Sequence, residues 1–563
     1  MIRAVARSLA ALPLLVALAG PSLPAQQRAT PASRVAAAIR GEQVWGPLRF
    51  LSDDLLEGRA SSARGGELTV QYIASQFMAL GLEPAGDSGT YVQRVPIVTL
   101  NPTATLEVSG GAAPRALRYR DDFVAWSEQV PPPAQSTARG ETQAIDDSGE
   151  IVFVGFGVAA PEWQWDDFKG VDVTGKVLLV LVNDPGLRDS TIFRGSILTY
   201  YGRWTYKLEE AARRGAAGVL LVHNDTMATY GWNTVVNSWT GDQVKLVRPN
   251  TSLAWAGWIT QGAATAMLHE GGLDLAQLLA AAARRDFRPV ATGVTVHGSV
   301  ASTVRRTTTA NVVARLPGSD PALRNQVVVI GAHWDHHGIS RPVNGDSILN
   351  GALDNASGVA VMLATADAFR RAGVAPRRSI LFASFTAEEK GLLGSQAFAE
   401  RPPVPARDIA AILNVDGANL WGPTRDIGAL GGDQSSLGAV FAQAARAEGL
   451  RVTTSRDALK SGGFFRSDHF PFARVGVPGL SFQSGDDFVG KPRDWGRQQR
   501  EEYNRLRYHQ PGDEILPWYT VDGALQQARV LVRVAWLVGN APRLPTWDPT
   551  SEFRAAGEHR MGR

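Results

Sequence analysis

Residue types that bind metal ions follow several predicted strands in the second half of the sequence. Imidazole nitrogens and carboxylate oxygens are common zinc ligands, and side chains beyond the carboxyl ends of parallel strands share one crevice. Two imidazoles and three carboxylates would hold two ions about 3.5–4 Å apart if one carboxylate bridged them. The pattern predicts a two-metal hydrolase, and the candidate residues are His333, Asp354, Glu388, Glu389, Asp416 and His509.

The positions of three acidic residues suit different roles. Glu388 and Glu389 are adjacent, so their side chains diverge, and one can bind metal while the other moves a proton. Asp335 lies two residues after His333 on extended chain, where both side chains can face one side. Asp335 could therefore orient the imidazole ring. A lone acid at a helix start, such as Asp354, is usually a helix cap. Because metal-binding residue types occur at the ends of several successive elements, we favour a metal site here.

The remaining histidines are assigned to other roles. We expect His336, His337 and the Asp468-His469 pair to form the pocket wall or to support the ligands, without binding metal. His223, His269, His297 and His559 are interpreted as structural or surface residues. The sequence contains no Gly-x-Ser-x-Gly motif, which excludes the usual serine hydrolase of this sheet type.

The segments around the candidate ligands alternate between apolar strands and helices. Strands are predicted at 311–316, 327–330, 379–385 and 409–415, and a helix at 356–371. This alternation is typical of an α/β fold with a doubly wound, mostly parallel sheet flanked by helices. Further helices are predicted at 35–56, 67–80 and 521–537.

The middle of the sequence differs from the flanking segments in its pattern of predicted elements. Three prolines at 131–133 and a polar stretch mark a seam, and short strands with one helix follow up to residue 299. We predict a smaller, inserted mixed α/β domain with its own core. The predicted organisation is a signal peptide (1–25), the N-terminal part of the main domain (34–135), the insert (136–299), the rest of the main domain (300–542) and a frayed C-terminal tail (543–563).

Composition restricts the compartment and the partners. The 563 residues include no cysteine, and 57 Lys+Arg nearly balance 54 Asp+Glu, so neither disulfides nor a nucleic-acid partner are expected. Arg3 and Arg7 precede an apolar run at 9–18 and a small-residue site ending at Ala25, the pattern of a cleaved secretory signal. We therefore expect a secreted or periplasmic protein without stable membrane insertion.

The combined motifs resemble peptidase family M28, of the aminopeptidase and glutamate carboxypeptidase type. The resemblance covers roughly 300–540, and the segment from about 40 to 98, including residues 51–59, is similar to the family's N-terminal portion. Residues 140–299 look like the protease-associated (PA) domain often inserted in such enzymes, through Gly175-Lys176-Val177 and the segment 207–222. The motifs are His333-x-Asp335, Asp354-Asn355-x-x-Gly358, Glu388-Glu389, Asn414-x-Asp416 and Tyr508-His509.

The resemblance implies a zinc-dependent exopeptidase fold, two Zn²⁺ ions per chain and a role for each matched residue. His333 and Asp416 would hold one ion, Glu389 and His509 the other, and Asp354 would bridge them. Glu388 would be the general base, Asp335 would orient His333, and Tyr508 would steady the oxyanion. Trp334 and His337 depart from the commoner tyrosine and leucine of the family, which affects the pocket wall.

The expected function is that of an aminopeptidase that removes N-terminal residues from peptides by a two-metal mechanism with a bridging water. Three alternatives remain open at this stage. One is an acyltransferase of the glutaminyl-cyclase type, which would need a single zinc. Another is an enzyme of the glutamate-carboxypeptidase type, which would need arginines in its pocket, and Arg466 is a candidate. The third is a binding module that lost its chemistry.

Overall fold

The computed structural model describes Met1 and residues 30–111, 113–132 and 141–562. The predicted signal peptide, except for Met1, lies outside the described residues, and so does the predicted boundary between residues 135 and 136. No helix in the described ranges combines the length and the apolar character needed to cross a bilayer.

The helices of the described residues are distributed along the whole chain and are interspersed with strands. In chain order they are α1 (Pro31–Ala38), α2 (Gly41–Leu51), α3 (Arg64–Ala79), α4 (Trp204–Arg213), α5 (Asp225–Ala228), α6 (Trp232–Trp239), α7 (Gln261–Glu270), α8 (Leu275–Ala282), α9 (Ser357–Ala372), α10 (Leu393–Glu400), α11 (Leu437–Ala447), α12 (Arg456–Lys460), α13 (His469–Arg474), α14 (Trp495–Leu506), α15 (Asp522–Asn540) and α16 (Arg554–Arg560).

The strands of the described residues are β1 (Glu83–Pro84), β2 (Val92–Ser109), β3 (Arg115–Ala116), β4 (Phe123–Ser127), β5 (Glu141–Phe153), β6 (Ala159–Ala160), β7 (Trp165–Asp166), β8 (Val177–Leu181), β9 (Gly218–His223), β10 (Gln243–Leu246), β11 (Trp255–Thr260), β12 (Val290–Leu316), β13 (Val327–His333), β14 (Gly338–Val343), β15 (Asp346–Leu349), β16 (Ser379–Phe385), β17 (Ile409–Val415), β18 (Asp426–Leu430), β19 (Arg451–Thr453) and β20 (Gly479–Ser484). Most of them belong to one large sheet, whose main path runs β19-β18-β20-β17-β13-β16-β12-β5-β8-β9-β11-β4.

The centre of the sheet is parallel and buried on both faces. Strand β13 pairs in parallel with β16 and β17, and every residue of these three strands is buried. Alternate residues of β13 belong to different cores: Val328 and Ile330 face α9 and α15, whereas Val327 and Val329 face α10 and α13. Helices on both faces explain the nearly continuous apolar strand sequences. The predicted α/β fold with a mostly parallel, helix-flanked sheet is confirmed.

Strand β12 connects this part of the molecule to a second core. Its C-terminal end pairs with β16, and its earlier residues pair with β2 and β5. Beyond β5, the strands β8, β9 and β11 continue in parallel, and they share a core drawn from residues between Ala104 and Val300. The domain boundaries given above remain a prediction.

The C-terminal segment is packed, so the expectation of a frayed tail is wrong. Trp547 is 9% and Phe553 3% exposed, and the indole Nε1 of Trp547 donates to the carbonyl oxygen of Gly476 at 3.0 Å. The segment is polar on average, but two widely spaced aromatic side chains anchor it, and average polarity does not reveal such anchors.

Candidate active site

The six candidate residues converge at the carboxyl edge of the parallel strands. His333 ends β13, Glu388 and Glu389 follow β16, and Asp416 follows β17. Asp354 lies in the turn before α9, and His509 lies in the loop after α14. The strand ends meet because β13, β16 and β17 are neighbours that run in the same direction, as expected of an open α/β sheet.

Asp354 lies between two imidazoles. Its Oδ1 is 3.3 Å from Nε2 of His333, and its Oδ2 is 3.2 Å from Nε2 of His509. On the His333 side, Oδ1 of Asp416 is 3.1 Å from the same Nε2. On the His509 side, Oε2 of Glu389 is 3.3 Å from the imidazole nitrogen. The arrangement therefore has two halves joined by the two oxygens of one carboxylate.

Two further histidines lie against Glu389. Nδ1 of His336 is hydrogen-bonded to Oε1 of Glu389 at 2.6 Å, and Nε2 of His337 lies 3.1 Å from Oε2. Both were predicted to form the pocket wall or to support the ligands. The run of histidines immediately after His333-x-Asp335 was the available signal, but only the loop conformation decides where these rings point.

The donor set fits metal ions. Nε2 of His509 is buried and makes no hydrogen bond with the described residues, although it lies close to oxygens of Asp354 and Glu389. Ligand atoms of His333, Asp354 and Glu389 lie within 4.8 Å of one another, and so do those of His333, Glu388 and Asp416. Mixed imidazole and carboxylate donors are the chemistry of zinc sites.

Asp335 contacts His333 through its backbone carbonyl group and Glu388 through its carboxylate. Nδ1 of His333 is hydrogen-bonded to the carbonyl oxygen of Asp335 at 3.1 Å, whereas the carboxylate Oδ1 is 3.9 Å away, too far for a hydrogen bond. The carboxylate accepts hydrogen bonds from the Glu388 N–H at 3.0 Å and from the Ser61 hydroxyl at 3.1 Å. Asp335 thus fixes the backbone that carries Glu388.

The buried charges shift the proton affinities of the metal-free site. Burial raises the pKa of Glu388 well above its usual range, and Asp416 and Glu389 raise it further. Burial alone would raise the pKa of Asp354, but the adjoining imidazoles of His333 and His509 hold it well below its usual range. One carboxyl group is therefore suited to hold a proton and the other to remain charged.

Several supporting residues were not identified from the sequence. Asp513 accepts hydrogen bonds from the N–H groups of Leu353 and Asp354, both at 3.0 Å. The Ser467 hydroxyl donates to Oδ2 of Asp416 at 2.6 Å. Arg59, which is 1% exposed, donates through Nη2 to the carbonyl oxygen of Gly351 at 3.0 Å. Each contact joins distant parts of the chain, and local spacing does not reveal such contacts.

A cavity of about 270 Å³ opens beside the two carboxylates Asp354 and Asp416. The Tyr508 ring stacks on His509 with centroids 3.8 Å apart. The cavity is lined in part by Leu353, Trp421, Phe482, Arg500, Tyr503 and Tyr508. Apolar and aromatic walls beside a carboxylate edge suit a side chain with an adjoining cation.

Comparisons with known proteins find similarity to peptidases. Residues 311–531 match the model of peptidase family M28, and this segment contains β13, β16, β17 and all six candidate residues. The chain is 31% identical to leupeptin-inactivating enzyme 1 of Streptomyces exfoliatus over 36% of this chain and 43% of that protein. It is 28% identical to a probable zinc metalloprotease of Pyrenophora tritici-repentis (42% of this chain, 58% of that protein).

A third relative is leucine aminopeptidase 1 of Phaeosphaeria nodorum, with 29% identity over 40% of this chain and 54% of that protein. The chain thus spans about half the length of the curated relatives it matches. The matched segment is therefore similar to peptidases, which are hydrolases.

Proposed function

We propose that this protein is a zinc-dependent aminopeptidase of the M28 type that removes N-terminal residues from peptides. The observation that carries the proposal is the position of Asp354, whose two oxygens lie 3.3 and 3.2 Å from Nε2 atoms of His333 and His509. A carboxylate between two imidazoles, with Asp416 on one side and Glu389 on the other, is the donor arrangement that a pair of metal ions needs.

The ligands divide into two sets that share one residue. His333 and Asp416 would hold one zinc ion, Glu389 and His509 the other, and Asp354 would bind both. Zinc ions bound there would polarise the scissile carbonyl group and lower the pKa of the attacking water. A probable zinc metalloprotease among the relatives supports the choice of metal.

Glu388 is the proposed general base. Its side chain lies near His333 and Asp416, and its backbone is fixed by the hydrogen bond to Asp335. The raised pKa of Glu388 suits a group that takes a proton from the attacking water and returns it to the leaving amine. The phenol of Tyr508, beside His509, is the proposed donor to the oxyanion.

The amino end of the peptide is the favoured site of cleavage. The carboxylates of Asp354 and Asp416 line the cavity, and they favour a free ammonium group close to the metal site. Arg500 also lines the cavity, but it is paired with Asp486 at 2.7 Å. Arg500 thus already has a carboxylate partner, and the two carboxylates in the cavity lining disfavour a C-terminal carboxylate, which argues against a glutamate-carboxypeptidase type. The leucine aminopeptidase among the relatives supports the amino end.

Metal content and substrate end test this proposal together. We expect two equivalents of zinc per chain by mass spectrometry, cleavage of peptides with a free N-terminus and no cleavage of their N-acetylated counterparts. C-terminally amidated peptides serve as the control, because an aminopeptidase cleaves them as well. A single zinc without hydrolysis would favour the cyclase type, and equal cleavage of acetylated peptides would exclude an aminopeptidase.

Export and the PA-like insert are further parts of the proposal. Segment 1–25 has the sequence of a secretory signal, so N-terminal sequencing of protein from the cell exterior or periplasm should begin at Gln26. An uncleaved N-terminus on protein retained in the cytoplasm would contradict export.

For the insert, the parallel strands β5, β8, β9 and β11 with helices α4–α8 support a separate folding unit.

A further inference from the structure

His337 points a buried nitrogen into the metal site. Its Nε2 lies 3.1 Å from Oε2 of Glu389, but it makes no hydrogen bond with the described residues. Nε2 of His509 lies 3.3 Å from the same oxygen and also makes none. The rings of His337 and His509 are 4.2 Å apart, centroid to centroid. Two imidazole nitrogens thus lie close to one carboxylate oxygen, but neither has the geometry of a hydrogen bond to it.

His336 differs from His337 in this respect. Its Nδ1 makes a 2.6 Å hydrogen bond to the other oxygen, Oε1, of Glu389, so this ring is positioned to orient the carboxylate. Oε2 remains beside the nitrogens of His337 and His509. Atoms that do not bond to each other but converge on one point are typical of ligands that share an ion.

We propose that His337 is a further ligand of the metal ion held by Glu389 and His509. The inference rests on the metal pair of the proposed function. With Asp354, the Glu389 side then has two imidazoles and two carboxylates, which complete four-coordination. The other side has only His333, Asp354 and Asp416. Sites with four protein ligands are typically structural and closed, whereas sites with three keep a position open for water or substrate.

The consequence is a division of labour between the two ions. An ion held by Glu389, His509 and His337 would be the more tightly bound, and an ion held by His333 and Asp416 would have fewer protein ligands and exchange more readily. Asp416 lines the cavity, together with Asp354 and Tyr508. A substrate in the cavity would therefore reach the ion position beside Asp416.

Two substitutions of His337 test the assignment. His337→Leu removes the nitrogen, and His337→Gln keeps a hydrogen-bond donor near Oε2 but replaces the imidazole. His269, an exposed residue of α7, provides a matched control as His269→Leu. Zinc stoichiometry and affinity are measured by competition with a chromophoric chelator, and the visible spectrum of the Co²⁺-substituted proteins reports the ligand number independently of activity.

We expect wild-type protein and His269→Leu to bind two zinc ions, one of them much more tightly. Both His337 variants should bind the tight ion at least about tenfold more weakly and change the Co²⁺ spectrum of that site. If only His337→Leu is affected and His337→Gln behaves as wild type, the residue is a hydrogen-bond donor and the assignment is wrong. Unchanged affinity in both variants overturns it as well.

The outcomes separate this inference from the proposed function. Wild-type protein that binds fewer than two ions contradicts the metal pair itself. Wild-type protein that binds two ions, together with His337 variants of unchanged affinity and spectrum, contradicts only the role of His337. If His337→Leu does not fold, as judged by circular dichroism, His337→Gln decides the question by the same measurements.

Discussion

Glu388 and Glu389 are adjacent residues with opposite surroundings. Oxygens of Glu389 lie within 3.3 Å of nitrogens on His336, His337 and His509, whereas burial and neighbouring carboxylates raise the pKa of Glu388. Glu388→Gln should therefore keep both zinc ions and lower kcat by about 10²–10⁴-fold. Glu389→Gln is the matched control and should lose zinc. A Glu388→Gln enzyme with normal turnover would remove the proposed base.

His469 predicts an acid-sensitive contribution to stability. Its side chain is fully buried, neither ring nitrogen has a partner among the described residues, and burial lowers its pKa to about 3. The ordinary pKa is about 6.5, so between pH 6.5 and 3 the unfolded chain binds a proton that the folded chain does not. The stability is thus complete above pH 6.5 and decreases as the pH falls, by up to about 1.4 kcal/mol per pH unit.

The measurement is urea unfolding of metal-free protein between pH 7.5 and 5. His469→Leu should lose less free energy of unfolding than wild type over the interval below pH 6.5, and the two should run in parallel above it. Titration of the metal ligands affects both proteins equally and cancels in the difference. Equal slopes below pH 6.5 would show that folding does not lower the pKa of this imidazole.

At the level of elements, the turn before α9 depends on the loop after α14. Asp513 is fully buried and holds the N–H groups of Leu353 and Asp354, while the Tyr503 hydroxyl donates to it at 3.0 Å. Asp513→Ala should lower zinc affinity by about 10–100-fold, because residues that orient ligands typically contribute this much. Tyr503→Phe removes one of three donors and should have a smaller effect. Zinc competition measures both, and wild-type affinity in Asp513→Ala would refute the coupling.

The strands that lead to the site could be predicted from the sequence because they are buried on both faces. The apolar runs of β13, β16 and β17 are short and end at ligand-type residues, so the strands and the residues after them could be predicted together. The loop residues could not. The positions of His337 and Arg59 depend on how the loop after β13 folds back. Arg59 donates to the backbone carbonyl groups of Asn350 and Gly351, which are 291 and 292 residues away along the chain.

The elements of the second core show a different limit of prediction. Strand β12 extends from Val290 to Leu316, and most of its length alternates between buried and exposed residues. Only its last part, 311–316, has the apolar run that indicated a strand. The alternating part is stabilised by pairing with β2 and β5 on its two sides, and single-segment periodicity does not show such partners.

In the molecule as a whole, an aromatic cluster near the site provides a second contact between the two cores. Tyr200 of the second unit contacts Phe465 and Phe470, with centroids 6.1 and 5.2 Å apart. Phe465 precedes Ser467, which holds Asp416. The C-terminal segment completes the cluster, because the Phe553 ring lies 6.1 Å from that of Tyr200 and 5.7 Å from that of Phe464. The C-terminal segment therefore packs against Tyr200 and Phe464 together, in one aromatic cluster.

Phe553→Ala tests this role of the tail. Removing a buried phenylalanine should lower the free energy of unfolding by about 3–5 kcal/mol, while zinc stoichiometry stays at two because no ligand candidate contacts Phe553. Arg554→Ala is the neighbouring control, since its ion pair with Glu558 is half exposed and contributes at most about 1 kcal/mol. Calorimetry of the zinc-loaded proteins measures both. A Phe553→Ala protein as stable as the control would show that the tail covers the cluster without holding the two units together.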